Sequence, residues 1–377
     1  MSRLAARLIL ALAAILLPSR LSHWGRAMAG EADAIEEAGP RLSFALGCLG
    51  SALDQAFYAL RGRSALTQGE IMNIGENHRP RLLTALCATA AIALGMAWMR
   101  TAGAPLSYLG MNGAALLLGL LAIGTAKEAT RIVRIPLAAV ALVLAGALLF
   151  TSLFGVSAEG VRRWVSAGGV MLQPGLIAVP VIAIQFGRAR GRLSTLAVLI
   201  AALALTLQPD RAMAGALAAG MAALALFRPE RNVLIALAAA LTAFAATLVR
   251  ADASPASPFV DQIFYSAFEA HALAGLAVVT GAALTIVPAL VGLARDADNR
   301  PFYAVFGAVW LAVIAAAALG NYPTPLVGYS GSAILGYLLS AIGLPRRTVR
   351  PSDFEIAAPP GAADRPRTLR AGLSQAA

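Results

Sequence analysis

Long apolar runs, broken only by short polar clusters, fill the chain from residue 82 to residue 344. About 20 apolar residues cross the hydrocarbon layer as one helix, a length that soluble cores do not need. The pattern predicts about ten transmembrane helices, at 82–99, 106–125, 135–154, 173–187, 193–208, 212–227, 232–249, 262–292, 302–319 and 327–344. The 262–292 run is long for one span and predicts a tilted helix that leaves the bilayer. The expected fold class is an all-α polytopic membrane protein.

Composition and charge agree with this class. Hydrophobic residues make up 59% of the chain and charged residues 13%, whereas a soluble domain carries about a quarter charged residues. The net charge of +11 could suggest nucleic acid as a partner. However, the arginines lie in short clusters between the apolar runs, without the shared face or interleaved aromatic residues of a nucleic-acid groove. We therefore expect no nucleic-acid partner.

The arginine clusters also predict the orientation. Lysine and arginine collect in cytoplasmic loops, and here every second loop carries most of them. The loops expected outside hold only Arg100, Arg162, Arg163, Arg211 and Arg250. An even number of spans then predicts that both termini lie in the cytoplasm.

Two terminal segments differ from the apolar middle. Residues 1–80 are mixed in polarity and predict a short helical prefix, membrane-associated or cytoplasmic, before the transmembrane domain at 81–345. The apolar stretch 4–17 is short for a span. An Ala-Met-Ala segment that resembles a cleavage site lies too far beyond this stretch for a signal peptide, which favours a membrane-surface or partly inserted helix. Residues 346–377, rich in Pro, Arg and Ala, are expected to be a disordered cytoplasmic tail.

Polar residues at the expected outer face are the candidates for chemistry. Arg162 and Arg163 precede Trp164, and arginine forks match phosphate oxygens while tryptophan suits headgroup depth. The alternative is a simple interfacial anchor. Asp261 begins the eighth span, and Glu269 lies about two helical turns further on. A carboxylate at a polar cavity can act as a general base. A helix-initial Asp often caps its helix, which the sequence alone favours for Asp261, and the two roles are not exclusive.

The approach to the last span predicts irregular backbone. Pro323 and Pro325 precede Gly-Tyr-Ser-Gly-Ser, and irregular backbone at membrane depth needs surrounding protein or a water-filled cavity. Close helix packing by the small residues is the simpler explanation. The cysteines (Cys48 and Cys87) and three histidines are scattered without ligand spacing, so no metal site is predicted.

Five of these segments, taken in order, resemble motifs of the SEDS (FtsW/RodA/SpoVE) family of cell-wall polymerases. The family's Asn-Gly-x-(Lys/Arg)-Arg-Trp resembles Gly160–Trp164, and its Gln-Pro-Ser-Glu resembles the segment that begins Gln173-Pro174. Gln-Pro-Asp-Leu-Gly is similar to the segment that begins Gln208-Pro209-Asp210, and Thr-Asp-Phe-Ile-Phe with a later Glu-Glu is similar to 260–269. Pro-Leu-Pro-Phe-Leu-Ser-Tyr-Gly-Gly-Ser aligns without a gap to Pro323–Ser332.

The resemblance covers about residues 80–345 and implies a ten-helix peptidoglycan glycosyltransferase that polymerises lipid II in cell division or elongation. Asp261 would be its catalytic carboxylate, and the substrate-binding residues would be Arg162, Arg163, Trp164, Asp210, Glu269, Tyr329 and Ser332. The implied partners are a class B penicillin-binding protein and division or elongation proteins. Cofactors stay open, with a divalent cation among the options.

The chain also departs from the family pattern. Leu176 and Val179 replace a Glu and a Lys, and only about a dozen residues link Val249 to Asp261, where the family has a large outer loop. The departures leave two alternatives beside the enzyme. One is a non-catalytic scaffold of the division or elongation machinery. The other is a transporter or lipid flippase, disfavoured because the chain has no obvious inverted repeat.

Overall fold

A computed structural model describes residues 21–61, 80–132, 136–158, 160–250 and 255–345, together with 6–7, 9–11, 13–14 and 17. The predicted tail at 346–377 lies outside the described residues, as do residues 4, 5, 8, 12, 15 and 16 of the predicted surface helix at 4–17 and residues 251–254 of the short loop. Two helices form the prefix, α1 (Ser22–Ala34) and α2 (Ala38–Arg61). The remaining helices are α3 (Pro80–Thr101), α4 (Leu106–Ile132), α5 (Leu137–Phe154), α6 (Pro174–Arg188), α7 (Arg192–Leu207), α8 (Arg211–Phe227), α9 (Arg231–Leu248), α10 (Ile263–Ala270), α11 (Ala272–Arg295), α12 (Arg300–Leu319) and α13 (Gly331–Ile342).

The protein is an all-α polytopic membrane protein. Within the described residues six helices, α3, α4, α5, α9, α11 and α12, are long and apolar enough to cross a membrane. Four further apolar helices, α6, α7, α8 and α13, are shorter, which gives ten apolar helices among the described residues. These ten helices coincide with the ten predicted spans, because the polar clusters that separated the apolar runs also end the helices.

The predicted single span at 262–292 was wrong in one respect, since two helices occupy it. α10 ends at Ala270, and His271 takes an extended conformation with φ −170° and ψ 139°. The His271 Nδ1 atom then accepts a hydrogen bond from the backbone N–H of Leu273 at 3.1 Å, which caps the start of α11. The Phe268 ring lies directly over Gly275, where no side chain would fit. α10 therefore folds back against α11 instead of extending it.

Helix α6 is the centre of the bundle. It contacts α5, α7, α8, α12 and α13, and eleven of its fifteen residues are buried. Its sequence is apolar on all sides, as a helix enclosed by other helices requires. Pro174 stands at the start of the helix, where its fixed φ is favourable and its missing N–H costs no hydrogen bond. The residues just before α6 are therefore held in the middle of one end of the bundle.

A small antiparallel sheet follows α5, in a segment predicted to be a loop. Its strands β1 (Val156–Ala158), β2 (Val161–Ala167) and β3 (Val170–Leu172) lie side by side in sequence order. Gly168 and Gly169 connect β2 to β3 with φ values of +57° and +82°, a conformation that glycine adopts without steric cost. The sheet covers the end of the bundle at which α6 begins, which we name the site end.

The prefix packs on the other end of the bundle. Buried residues of the prefix, among them Ala45 and Cys48, form one apolar cluster with Cys87 of α3 and with Val287 and Val291 of α11. These positions lie near the first residue of α3 and the last residue of α11, away from the site end. The domain boundary at residue 80 stays a prediction.

Candidate functional site

A cavity of about 380 Å³ lies at the site end of the bundle. It joins the sheet, the start of α6, the segment before α10 and the segment before α13. The residues that line it include Met111, Arg163, Trp164, Leu172, Gln173, Leu176, Ser257, Asp261, Asn321, Tyr322, Tyr329, Ser330 and Ser332. Five of the eight predicted site residues thus share one wall: Arg163, Trp164, Asp261, Tyr329 and Ser332.

Asp261 lies in a turn that precedes α10, and it does not cap that helix. The residue before the helix is Gln262, whose side chain makes no capping hydrogen bond. The Oδ2 atom of Asp261 instead accepts a hydrogen bond from the backbone N–H of Ser257 at 2.9 Å. Asp261 is half-buried and faces the cavity. The capping alternative is therefore not what this carboxylate does.

The turn that carries Asp261 is strained on both sides. Phe259 and Gln262 have φ values of +62° and +55°, in the left-handed region that residues other than glycine seldom occupy. Two backbone hydrogen bonds from the segment before α13 hold the turn: Thr324 N to Val260 O at 2.9 Å and Tyr329 N to Phe259 O at 2.6 Å. The position of Asp261 is thus fixed by the last loop of the bundle.

Arg163 and Arg162 are neighbours in β2 but lie in different surroundings, one buried and one exposed. Arg163 is 4% exposed, and its guanidinium donates to the carbonyl oxygens of Gln208 and Pro209 at 3.3 and 2.5 Å. Arg162 is exposed, does not line the cavity, and donates to the carbonyl oxygen of Leu153. Only one of the two predicted arginines therefore faces the cavity, together with Trp164.

A chain of hydrogen bonds connects three of the sequence motifs behind the cavity. The backbone N–H of Gln173 donates to Ser332 Oγ at 3.0 Å, and its Nε2 donates to Asp210 Oδ2 at 3.3 Å. The other carboxylate oxygen of Asp210 accepts from Met213 N at 3.1 Å, so that Asp210 caps α8. Asp210 is fully buried and does not line the cavity. It supports Gln173, which does.

Sequence reasoning missed Asn112, which organises the segment before α13. Its side chain is fully buried. Nδ2 donates to the carbonyl oxygen of Gly328 at 2.8 Å, and Oδ1 accepts from the N–H of Ser330 at 3.2 Å. The Tyr329 between them stacks on Tyr108, one helical turn before Asn112. A lone asparagine inside a predicted span was the available signal, because such polar groups need a partner.

Glu269, Leu176 and Val179 add no polar group to the cavity. Glu269 is exposed near the end of α10 and does not line the cavity, because the helix that carries it turns away at Ala270. Leu176 and Val179, which stand where the SEDS motif has Glu and Lys, are 2% and 0% exposed in α6. Leu176 therefore gives the cavity an apolar surface, whereas Val179 does not line it.

Across the part of the chain that the structure describes, no three His, Cys, Asp or Glu side chains come close enough to hold a metal ion. Among the described residues that line the cavity, Asp261 is the one carboxylate.

Comparison with known proteins gives structural similarity alone. No protein-family model matches the chain, and no curated protein matches it. The crystal structure of the rod shape determining protein RodA of Thermus thermophilus is 21% identical over 69% of this chain and 93% of that chain, with a TM-score of 0.47. An Asp-to-Ala variant of that RodA is 22% identical, over 69% and 94% of the two chains, with a TM-score of 0.47. A structure that describes how a peptidoglycan synthase complex coordinates polymerization and crosslinking is 21% identical, over 69% and 94%, with a TM-score of 0.46.

Proposed function

We propose that this protein is a membrane glycosyltransferase of cell-wall synthesis that polymerises lipid II. The observation that carries the proposal is the shared cavity of Asp261 and Arg163. These residues come from motifs about 100 residues apart in the sequence, yet both line one cavity of about 380 Å³. This volume lies within the range of small-molecule sites.

Asp261 is suited to the role of general base. Its carboxylate takes the proton from a hydroxyl of the acceptor sugar while the hydroxyl oxygen attacks the anomeric carbon of the donor. The new carbon–oxygen bond forms as the bond from that carbon to the diphosphate oxygen breaks, and the lipid diphosphate leaves with the electron pair. The strained turn at Phe259 and Gln262 holds the carboxylate in place, which avoids reorganisation during the reaction.

Arg163 supplies positive charge to the same cavity. Its guanidinium is oriented by the carbonyl oxygens of Gln208 and Pro209, so the charge stays fixed beside the cavity. A fixed cation can offset the charge that develops on a departing diphosphate. Trp164 and Tyr329 add aromatic surface on which a sugar ring can lie.

The proposal extends to location and partners. We place the site end of the bundle on the outer face of the bacterial inner membrane, with both termini cytoplasmic, from the arginine distribution. The partner would be a class B penicillin-binding protein, which cross-links the new strand, within the division or elongation machinery.

A non-catalytic scaffold is the second candidate, and a specific observation favours it. Leu176 and Val179 stand where the motif has Glu and Lys, and both are buried. Neither side chain can exchange a proton or bind a phosphate group. Among the described residues that line it, the cavity then offers Asp261 as the one carboxylate. A scaffold would keep the helix bundle and its protein contacts without turnover.

Polymerisation of labelled lipid II by the purified full chain tests the proposal. The wild type is assayed alone and with a candidate class B penicillin-binding protein, beside Asp261→Asn. Glu230→Gln serves as the matched control, because it neutralises an exposed carboxylate at the opposite end of the bundle. We expect glycan strands from the wild type and Glu230→Gln, and none from Asp261→Asn.

Two results would contradict the enzyme. Equal strand formation by Asp261→Asn would remove Asp261 from catalysis. Absence of strands from folded wild type under every partner condition, with normal binding of the penicillin-binding protein by wild type and Asp261→Asn alike, would favour the scaffold.

A further inference from the structure

Ser330 presents an unused hydroxyl at the wall of the cavity. The residue is 7% exposed and lines the cavity beside Gly331. Its backbone N–H donates to Asn112 Oδ1 at 3.2 Å, but its Oγ atom has no hydrogen-bond partner among the described residues. Burial of an unsatisfied polar group is unfavourable, so native proteins retain few of them. This hydroxyl therefore needs an explanation other than packing.

The placement of the hydroxyl is set by its neighbours. The SEDS motif has Ser-Tyr-Gly where this chain has Gly328-Tyr329-Ser330. A Cβ atom at Gly328 would overlap the Ile263 side chain and would lie 3.0 Å from the carbonyl oxygen of Phe259. A serine does not fit at position 328 in this fold. The chain carries a hydroxyl on the other side of Tyr329 instead.

The Ser330 hydroxyl is free to turn. Rotation about its Cα–Cβ bond breaks no hydrogen bond, and the staggered rotamers of serine differ little in energy. Asn112 holds the backbone of Ser330 during such a rotation, so only the hydroxyl moves. Ser332 differs in this respect, because its Oγ already accepts a hydrogen bond from Gln173 N.

We propose that Ser330 is a specificity-determining residue of the cavity, whose hydroxyl turns inward to hydrogen-bond an oxygen of a bound lipid-linked glycan. The oxygen belongs to a sugar hydroxyl or to the diphosphate. The choice of ligand class rests on the proposed function, whereas the unused hydroxyl and the cavity do not depend on it.

Binding without turnover tests this role. The full chain with Asp261→Asn is titrated with lipid II and, separately, with undecaprenyl diphosphate, with and without Ser330→Ala. Loss of one hydrogen bond to a polar or charged oxygen weakens binding by about tenfold. Ser194→Ala is the matched control, because Ser194 is also buried, lies in the first turn of α7 at the other end of the bundle and does not line the cavity. We expect Ser194→Ala to bind like its parent.

The two ligands identify the oxygen. Weaker binding of lipid II alone assigns the contact to the sugar, and equal weakening of both assigns it to the diphosphate. Unchanged lipid II binding by Ser330→Ala overturns the proposal, as does a parent protein that binds neither ligand. Thermal unfolding distinguishes a lost ligand contact from a damaged fold. Ser330→Ala should unfold at no lower temperature than its parent. A loss of stability that matches the loss of affinity would also overturn the proposal. If the wild type forms no glycan strands but Ser330→Ala still weakens ligand binding, the proposed glycosyltransferase activity is contradicted and the proposed role of Ser330 in binding is supported.

Discussion

The ring of Tyr329 stacks face to face on the ring of Tyr108, with centroids 3.9 Å apart and planes 11° apart. Tyr329 belongs to the segment before α13, and Tyr108 belongs to the first turn of α4. The stack closes one side of the cavity and joins two segments more than 200 residues apart in the sequence. Stacked aromatic pairs contribute about 0.5–1.5 kcal/mol beyond the area that they bury.

Two substitutions of Tyr329 distinguish the contribution of its ring from that of its hydroxyl. Tyr329→Phe keeps the stack and should change the free energy of unfolding by less than about 0.5 kcal/mol, whereas Tyr329→Leu should lose about 1–2 kcal/mol. Thermal unfolding in detergent measures both. Equal stability of the Leu and Phe variants would mean that the stack contributes nothing. If Tyr329→Phe is stable but binds lipid II more weakly, the hydroxyl contacts the ligand.

Removal of the Asn112 amide should destabilise the segment before α13. Asn112→Leu keeps a similar volume but leaves the Gly328 carbonyl and the Ser330 N–H buried without partners. The expected loss is about 3 kcal/mol in the free energy of unfolding. Asn232→Leu is the control, because Asn232 is only half-buried and donates one hydrogen bond, to the Arg190 carbonyl at 2.7 Å. Equal losses in the two variants would contradict the special role of Asn112.

A pair of glycine substitutions tests the contact between α3 and the last loop. A Cβ at Gly95 would overlap the backbone of Val327, whereas a Cβ at Gly113 meets nothing within 4 Å. Gly95→Ala should therefore lower the free energy of unfolding by about 2–3 kcal/mol through overpacking. Gly113→Ala should leave it unchanged or raise it by up to about 1 kcal/mol through helix propensity. Thermal unfolding of both variants checks this, and a stable Gly95→Ala protein would show that the loop can move away.

A small pH dependence should come from the opposite end of the bundle. The hydrogen bond from Arg190, 2.9 Å long, lowers the pKa of Glu230 below its ordinary value. The ionised carboxylate therefore favours the folded state above the unfolded pKa of about 4.3, and this contribution disappears as the pH falls through the lower folded value. The stability of Glu230→Gln should fall slightly below that of the wild type at neutral pH and equal it at acid pH.

The Glu230 effect should also be small and sensitive to salt, because the pair is exposed. Unfolding in low and high salt at neutral pH is the measurement. A difference between wild type and Glu230→Gln that persists at acid pH, or that grows with salt, would assign the effect to another cause.

The bundle could be predicted from the sequence, because each transmembrane helix is a local apolar run that ends at charged residues. The break at His271 could not, since neither His271 nor Gly275 interrupts the hydropathy of the run. The break depends on the Phe268 ring, which packs on Gly275 only after the helix has turned. The sheet did have a local signal, Gly168-Gly169 between two short β-prone runs, which the apolar pattern obscured.

The candidate site could be predicted in part. The motifs identified Asp261 and Arg163, because charged residues stand out against an apolar background. They did not separate Arg163 from Arg162, because the burial of one and the exposure of the other depend on the folded surroundings of β2. Asn112 was missed because its partners, Gly328 and Ser330, lie more than 200 residues away and are backbone groups.

The turn that carries Asp261 has one further consequence. The backbone N–H groups of Thr324 and Tyr329 hold the carbonyl oxygens of Val260 and Phe259, with no side chain in between. A displacement of the segment before α13 therefore reaches the carboxylate directly through the main chain. A shorter side chain at position 324 or 329 therefore leaves this link intact, whereas proline, which has no backbone N–H, would remove it.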